Sequence, residues 1–386
     1  MVILDHLPLE GGAQRQLAAV APLLERRGVE VHVLTRRRNG LARRAEIGGV
    51  PVHRLPAPGT RTTASLGFTA AALNRIAALR PDVVHAYSLF SPATIAGLAK
   101  QLFGTATVVK VLRGGRAGDV ERLRARAFSR SRIRWIRGTI DRFVTISSEI
   151  DAEIDALGIA RERRRSIPNG VDTDRFRPAT PALRRQRRHE LALPDAPTAV
   201  YCGRLVSEKR IDLLLAAWEG IDLGQPRASL VIVGAGPESE RLRRLAGSGV
   251  HFAGETADVL PYLQAADVFV LPSATEGLSN ALLEAMAAGL PPVATRVGGA
   301  TDVVADRITG RLVAPGDRDA LREALGSVLA DPAREALGAR ARASVVGTHA
   351  LPSVADRLVA LYQELAASTA SSPAARRRRA SRELRA

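Results

Sequence analysis

Val268-Phe269-Val270-Leu271-Pro272-Ser273-Ala274-Thr275-Glu276-Gly277-Leu278-Ser279-Asn280-Ala281-Leu282-Leu283-Glu284-Ala285-Met286-Ala287 reads as a buried strand, a turn and a helix in succession. The apolar run Val268–Leu271 ends at Pro272, and the helical pattern begins after Ser279 or Asn280, either of which can cap it. Glu276 therefore falls in the loop at the carboxyl end of a strand, where open α/β sheets bind ligands. Free amides at the start of the helix suit a phosphate. Glu284 follows within the first two turns. Two carboxylates repel a diphosphate, so this pair is suited to accept hydrogen bonds from neutral hydroxyls such as those of a sugar or a ribose. The same pair also reads as a surface Glu beside one that complements the helix dipole, worth about 0.3–1 kcal/mol.

Outward from this stretch the same alternation repeats. Before it, strand candidates Thr198–Cys202, Leu230–Val233 and His251–Ala253 alternate with helical patterns, and Pro292–Ala294 follows it. The first half carries its own set: Val2–Leu4, Val29–Thr35, Asp82–His85, Thr107–Leu112, Arg142–Ile146 and Arg165–Ile167, with helical patterns at Ala13–Arg27 and Thr69–Leu79. Short apolar runs between helices predict parallel sheets covered on both faces, hence two consecutive doubly wound α/β units. Residues 176–197, basic and bearing Pro178, Pro181, Pro194 and Pro197, read as the connection. Boundaries follow at 1–175, 176–197, 198–350, a helix at 351–368 that packs back on the first domain, and a disordered basic tail at 369–386.

The 386 residues suffice for two domains, and a composition of 46% hydrophobic and 25% charged residues is globular. Cys202 is the single cysteine, which suits a reducing compartment. Val2-Ile3-Leu4 is too short for a signal peptide and no uncharged apolar stretch has membrane-spanning length, so a cytoplasmic protein is expected. The net charge of +17 is concentrated: Arg113 to Arg188 holds 20 arginines against 10 acids, and Arg376 to Ala386 holds 6 against 1. Glu121–Arg137 alone has seven arginines interleaved with Leu123, Phe128, Ile133, Trp135 and Ile136. As one helix it predicts either a core-packed element with a solvated outer face or a peripheral contact with an anionic membrane at its inner surface.

A second motif is Tyr201-Cys202-Gly203-Arg204-Leu205-Val206-Ser207-Glu208-Lys209-Arg210-Ile211-Asp212. A helix starting near Ser207 places Lys209 and Arg210 where the macrodipole disfavours cations. A bound anion offsets that cost, with Arg204 as a fork and Lys209 as a point charge on a diphosphate. Pairing with Glu208 and Asp212 is the alternative. Gly11-Gly12-Ala13 opens the first helix with small residues that let amides approach an anion. Gly234-Ala235-Gly236-Pro237 lacks the third glycine of a dinucleotide fingerprint, since position 239 is Ser. Asp172-Thr173-Asp174 reads as a turn, and no His/Cys cluster has metal spacing.

Together these segments resemble the family 4 glycosyltransferases, retaining enzymes of the GT-B fold. The resemblance covers nearly all of residues 1–330. It rests on Gly11 to Leu17, Pro81-Asp82-Val83-Val84-His85, Ile167 to Asp172, Gly203-Arg204 through Lys209, Val233 to Pro237, and Glu276 to Glu284 with Ala288-Gly289. It implies two Rossmann-like domains facing across a cleft, the first on the acceptor side and the second holding a nucleotide-diphosphate sugar, with UDP favoured. It implies hexosyl transfer to a glycan, a lipid-linked or a small-molecule acceptor. Arg204 and Lys209 then bind the diphosphate, Glu284 the ribose and Glu276 the donor sugar. Gly11, Gly12, Gly254, Gly277, Leu278, Ser279 and Asn280 complete the donor pocket, and Glu276, Arg204, Lys209 and His85 form the catalytic set. No metal or other cofactor is expected. Many members end the fourth strand of the first domain with His-Gly; this chain has Arg113-Gly114-Gly115, which leaves Arg113 and His85 as acceptor-side candidates. A nucleotide-sugar epimerase of the same fold needs other acid–base groups. A nucleic-acid-binding protein needs exposed aromatics or a reading motif, and only 4% of residues are aromatic.

Overall fold

A computed structural model describes residues 1–8, 11–115, 118–221, 223–224 and 227–370. The chain divides into two compact units: Met1–Asn169 with the chain from Pro352 onward, and Gly170–Leu351. Of the predicted tail, positions 371–386 lie outside the described residues, while Thr369 and Ala370 end the helix Leu351–Ala370.

In the first unit, Val83–Tyr87, Ala106–Lys110, Arg142–Thr145 and Arg164–Ser166 pair in that order and in parallel. Val33–Arg36 pairs in parallel with Val50–Leu55, whose other edge takes Arg44–Ile47 antiparallel. The expected first strand shrinks to a bridge: Val2 pairs with Leu34 on one side and Ala86 on the other, joining the two strand sets. The hairpin formed by Arg44–Ile47 and Val50–Leu55 is absent from the sequence expectations, because an edge strand reading Arg-Ala-Glu-Ile has no apolar run to reveal it.

Leu351–Ala370 belongs to this unit's core. Val354, Ala355, Leu358, Leu361, Tyr362 and Leu365 recur at helical spacing and pack among Leu17, Val20, Leu24, Tyr87, Val108 and Val144. Each buried leucine contributes about 1.5–3 kcal/mol. Arg27 pairs with Asp356, and Arg142 and Arg165 both reach Glu364, fastening the helix at both ends.

The predicted single helix over Glu121–Arg137 is two, Asp119–Arg124 and Ser129–Thr139, broken where Phe128 takes a left-handed φ of 60°. Their apolar residues divide accordingly. Leu123 and Ile136 are buried. Trp135 packs so closely on Gly97 that a β-carbon there would stand 2.3 Å from its ring. Phe128 alone turns outward, at 87% exposure.

The second unit is one parallel sheet in the order Val250–Gly254, Ser229–Val233, Thr198–Cys202, Val268–Leu271, Pro292–Thr295 and Arg311–Val313. The chain lays three strands outward from Thr198–Cys202, returns beside it at Val268–Leu271, and lays three the other way. After these two central strands the chain runs on in opposite directions, so the place where their loops meet is a topological switch point, where such sheets hold ligands.

Residues 176–197, expected as a linker, belong to the second unit and carry the helix Pro181–Glu190. Thr180 caps it by accepting from the Leu183 amide at 3.2 Å, and Pro181 occupies its first turn, where a missing N–H costs nothing. Its prolines bound the helix rather than loosen a connection. Arg188 on this helix is buried and donates to Asp267 at 2.7 Å.

Candidate active site

Both loops at the switch point carry the charged motifs read from the sequence. After Thr198–Cys202 the chain passes Gly203, exposes Arg204, makes a short 3-10 turn at Ser207–Lys209 and enters the helix Ile211–Trp218 through Arg210 in a left-handed conformation. The Tyr201 hydroxyl donates to the Arg204 carbonyl at 3.1 Å and holds this turn. Arg210 pairs with Asp212 at 3.2 Å, whereas the Arg204 guanidinium has no ion-pair partner among the described residues.

Lys209 does not pair with its neighbour Glu208. Its ammonium donates to Glu276 Oε1, 67 positions further along the chain, and so joins the two motifs into one site. The backbone reinforces the junction, since the Ala274 amide donates to the Glu208 carbonyl at 2.8 Å. Glu276 is only 9% exposed. Burying a carboxylate is costly unless it is paired and hydrogen-bonded, and here the Ser273 hydroxyl also donates to Oε1 at 2.7 Å.

Ser279 caps the helix Asn280–Ala287, its hydroxyl accepting from the Leu282 amide at 3.3 Å. Asn280 and Glu284 are half-buried, and Leu278 is buried beneath the turn. The Gly277 carbonyl accepts from the Gly299 amide at 2.6 Å. Gly298, at φ +52°, lies so close that a β-carbon would stand 2.5 Å from the Glu276 carbonyl. Gly298-Gly299 thus moulds the Glu276 loop, a role the sequence reading missed; its signal was a glycine pair in the loop after the strand Pro292–Thr295, past Arg296 and Val297.

The glycines of Gly234-Ala235-Gly236 serve close approach as well. A β-carbon on Gly234 would meet the Gly203 carbonyl at 1.9 Å, so only glycine lets this turn lie against the Arg204 loop. The Gly234 amide in turn donates to the Gly254 carbonyl at 2.7 Å, which places Gly254 at the edge of the same loop cluster. Asp172 accepts from the amides of Asp174 and Arg175 at 3.1 and 2.9 Å, the turn geometry its sequence suggested.

The remaining candidates belong to the first unit. Gly11 is the N-cap of the helix Gly12–Glu25, in an extended conformation, and its carbonyl accepts from the Arg15 amide at 3.0 Å. Arg113 is half-buried in the loop after Ala106–Lys110, its carbonyl accepting from the Asp119 amide at 2.9 Å. His85 is corrected: at 1% exposure it is sealed in the core. Its Nδ1 lies 2.6 Å from the Tyr362 hydroxyl and its ring stacks on Tyr87. Burial, with the nearby Lys110 charge, holds its pKa well below the usual histidine value, so it stands neutral as a structural residue. Lys110 was not foreseen. It is buried at a strand end, hydrogen-bonded to Asn169 Oδ1 at 3.0 Å, and burial lowers its pKa to about 8.

Comparison with known proteins agrees with this architecture. Residues 11–170 match the glycosyl transferase 4-like domain and residues 196–331 the domain of glycosyl transferases group 1. A GDP-mannose-dependent monoacylated alpha-(1-6)-phosphatidylinositol monomannoside mannosyltransferase of Corynebacterium glutamicum is 34% identical over 285 residues, 70% of this chain and 73% of the relative. A GDP-mannose-dependent alpha-(1-6)-phosphatidylinositol monomannoside mannosyltransferase of Mycolicibacterium smegmatis is 42% identical over 44% of this chain; that match spans about half of the relative, 48%. A D-inositol 3-phosphate glycosyltransferase of Acidothermus cellulolyticus is 33% identical over 86% of this chain and 82% of its own. Among solved structures, Anabaena HepE in complex with UDP superposes with a TM-score of 0.78 at 18% identity, covering 94% of this chain and 99% of that one. Sucrose-phosphate synthase from Thermosynechococcus elongatus superposes equally well, at 24% identity over 95% and 96%. With both domains matched in order on two Rossmann-like sheets, the chain belongs to the group 1 glycosyl transferases of the GT-B fold.

Proposed function

We propose that this chain is a retaining mannosyltransferase that takes its sugar from GDP-mannose and places it on an inositol-bearing lipid. The Lys209–Glu276 pair beside the exposed Arg204 carries the donor reading. It sets two cations and a carboxylate at one strand-end cluster, suited to a diphosphate and a sugar hydroxyl respectively. The names of the mannosyltransferase relatives favour guanosine and mannose over the UDP-sugar expected from the sequence, and their inositol-lipid acceptors suggest the lipid.

In this reading Arg204 and Lys209 grip the diphosphate, Glu284 takes the ribose hydroxyls and Glu276 a mannosyl hydroxyl. As the bond from the anomeric carbon to the phosphate oxygen lengthens, negative charge builds on the departing diphosphate. Preorganised cations stabilise that charge without a metal, which makes the reaction insensitive to chelators. The acceptor hydroxyl attacks from the face being vacated and passes its proton to the leaving phosphate oxygen, which retains the anomeric configuration. Nucleotide binding tests the donor: GDP binds at least about 10-fold tighter than UDP, and Glu284→Ala lowers GDP affinity by about 10-fold or more, as expected where buried polar groups lose a hydroxyl partner. Tighter binding of UDP in calorimetry overturns the guanosine assignment.

A membrane-borne acceptor also fits the first unit's surface. With Leu123 and Trp135 turned inward, the apolar contact narrows to Phe128, and the exposed Arg130 and Arg134 on the following helix have no carboxylate partner among the described residues. Their charge favours anionic headgroups. Burying one phenylalanine ring contributes about 1.5–3 kcal/mol, so Phe128→Asp lowers binding to phosphatidylglycerol vesicles about 10-fold or more at low salt. Equal flotation of wild type and variant removes Phe128 from any membrane contact.

A further inference from the structure

The Glu276 carboxylate is held asymmetrically. Lys209 and Ser273 both donate to Oε1, while Oε2 takes part in no hydrogen bond among the described residues. Ser273 is fully buried and is itself held from behind: the Thr295 hydroxyl, also fully buried, donates to the Ser273 carbonyl at 2.5 Å. Thr295 ends the strand Pro292–Thr295, and its hydroxyl also lies 3.3 Å from the Leu271 carbonyl, where the neighbouring strand ends. A chain of contacts thus runs from the rigid edge of two adjacent strands through Ser273 to one oxygen of Glu276.

From this geometry we infer that Ser273 and Thr295 are positioning residues that decide which oxygen of Glu276 meets the donor sugar. The inference rests on the reading of Glu276 as the sugar-binding carboxylate. Lys209 alone cannot set the carboxylate's orientation during the reaction, because its flexible ammonium is shared with the diphosphate once the donor is bound. As Lys209 is drawn towards phosphate, Glu276 left to itself would rotate after the charge. Ser273 keeps Oε1 in place and so keeps Oε2 directed outward as the acceptor for a sugar hydroxyl. Ser273 donates through a short side chain with one rotatable bond, and Thr295 fixes the backbone from which it donates. Neither needs to touch the substrate.

The test separates positioning from simple structural support. Ser273→Ala is expected to lower kcat about 10- to 100-fold, the range for geometric misplacement of a substrate-contacting group, while GDP affinity stays within about 2-fold because the diphosphate and ribose contacts are untouched. Thr295→Val keeps the volume and removes the hydroxyl, and is expected to lower kcat about 3- to 10-fold. Thr295→Ser, which keeps the hydroxyl, recovers wild-type kcat. The Ser273→Ala/Thr295→Val double variant falls no further than Ser273→Ala, because both act through one oxygen. Unchanged kcat in folded Ser273→Ala overturns the inference. So does a fall in Thr295→Ser equal to that in Thr295→Val, or a parallel loss of GDP affinity and thermal stability. If wild type binds neither GDP nor UDP, the donor reading itself fails, and that outcome is distinct from all of these.

Discussion

If the proposed reading holds, Lys209→Ala is expected to lower kcat/KM for sugar transfer from GDP-mannose by about 10³-fold, with the fold retained. Lys209 is engaged in two ways, and alanine removes both. Without donor its ammonium neutralises Glu276, which is 9% exposed and otherwise keeps only the Ser273 hydroxyl. In the proposed donor complex it faces a diphosphate whose charge grows as the bond from the anomeric carbon to the phosphate oxygen breaks. A preorganised donor at such a point is worth about 10² to 10³ in rate, or about 2.7–4 kcal/mol. The unpaired Glu276 adds to the loss, because an uncompensated carboxylate beside the diphosphate repels it. Lys209→Arg is expected to recover only part of the activity, since a planar fork does not reproduce a compact ammonium. Glu276→Gln in the Lys209→Ala background relieves the repulsion, so the double variant is less than additive. Initial rates with saturating acceptor decide the matter: a loss below about 10-fold in folded Lys209→Ala would falsify the assignment of Lys209 to the leaving group.

The chemistry of this site was legible as residue types, and its wiring was not. Val268–Leu271 and Thr198–Cys202 are foreseen to the residue, because each is an uninterrupted apolar run closed by Pro272 or Gly203. Strand–loop–helix order then places Arg204, Lys209 and Glu276 at strand ends. That Lys209 turns to Glu276 rather than to adjacent Glu208 depends on two loops converging at the switch point, which no local pattern encodes. Ser273 and Thr295 are harder still, since a buried hydroxyl has no charge or periodicity to mark it. His85 shows the reverse error. The resemblance puts His85 among the catalytic candidates although a core role fits it equally, and its surroundings are set by Tyr362, 277 positions away on a helix that folds back into the first unit. The linker expectation failed for a related reason: proline density signals boundaries, and here the boundaries were those of a helix.

Asp267→Ala is expected to destabilise the second unit by about 3–5 kcal/mol. Asp267 sits just before the strand Val268–Leu271, its side chain 3% exposed. Its Oδ2 accepts from Arg188 at 2.7 Å and from the Thr198 amide at 2.8 Å, and Arg184 and Arg334 approach its Oδ1 at 3.5 and 3.8 Å. One carboxylate therefore neutralises arginines from the helices Pro181–Glu190 and Arg334–His349 and also satisfies the first amide of the central strand. Alanine leaves Arg188 buried with only the solvent-facing Asp195 and the Ala265 carbonyl as partners. Removing one member of a buried pair costs about 3–5 kcal/mol because the other charge stays desolvated. Against a typical domain stability of about 5–15 kcal/mol this is a large fraction. The two tryptophans allow the effect to be assigned: Trp135 lies in the first unit and Trp218, buried, in the second. In a Trp135→Phe background, fluorescence during urea unfolding reports the second unit. With a slope of about 1–3 kcal/mol per molar urea, its midpoint is expected to fall by more than about 1 M. Asp267 precedes its strand while Glu276 follows it, so below the transition GDP affinity stays at the wild-type value. An unchanged midpoint would mean that the three arginines find other partners at no cost, and that the helix Pro181–Glu190 is held by packing alone.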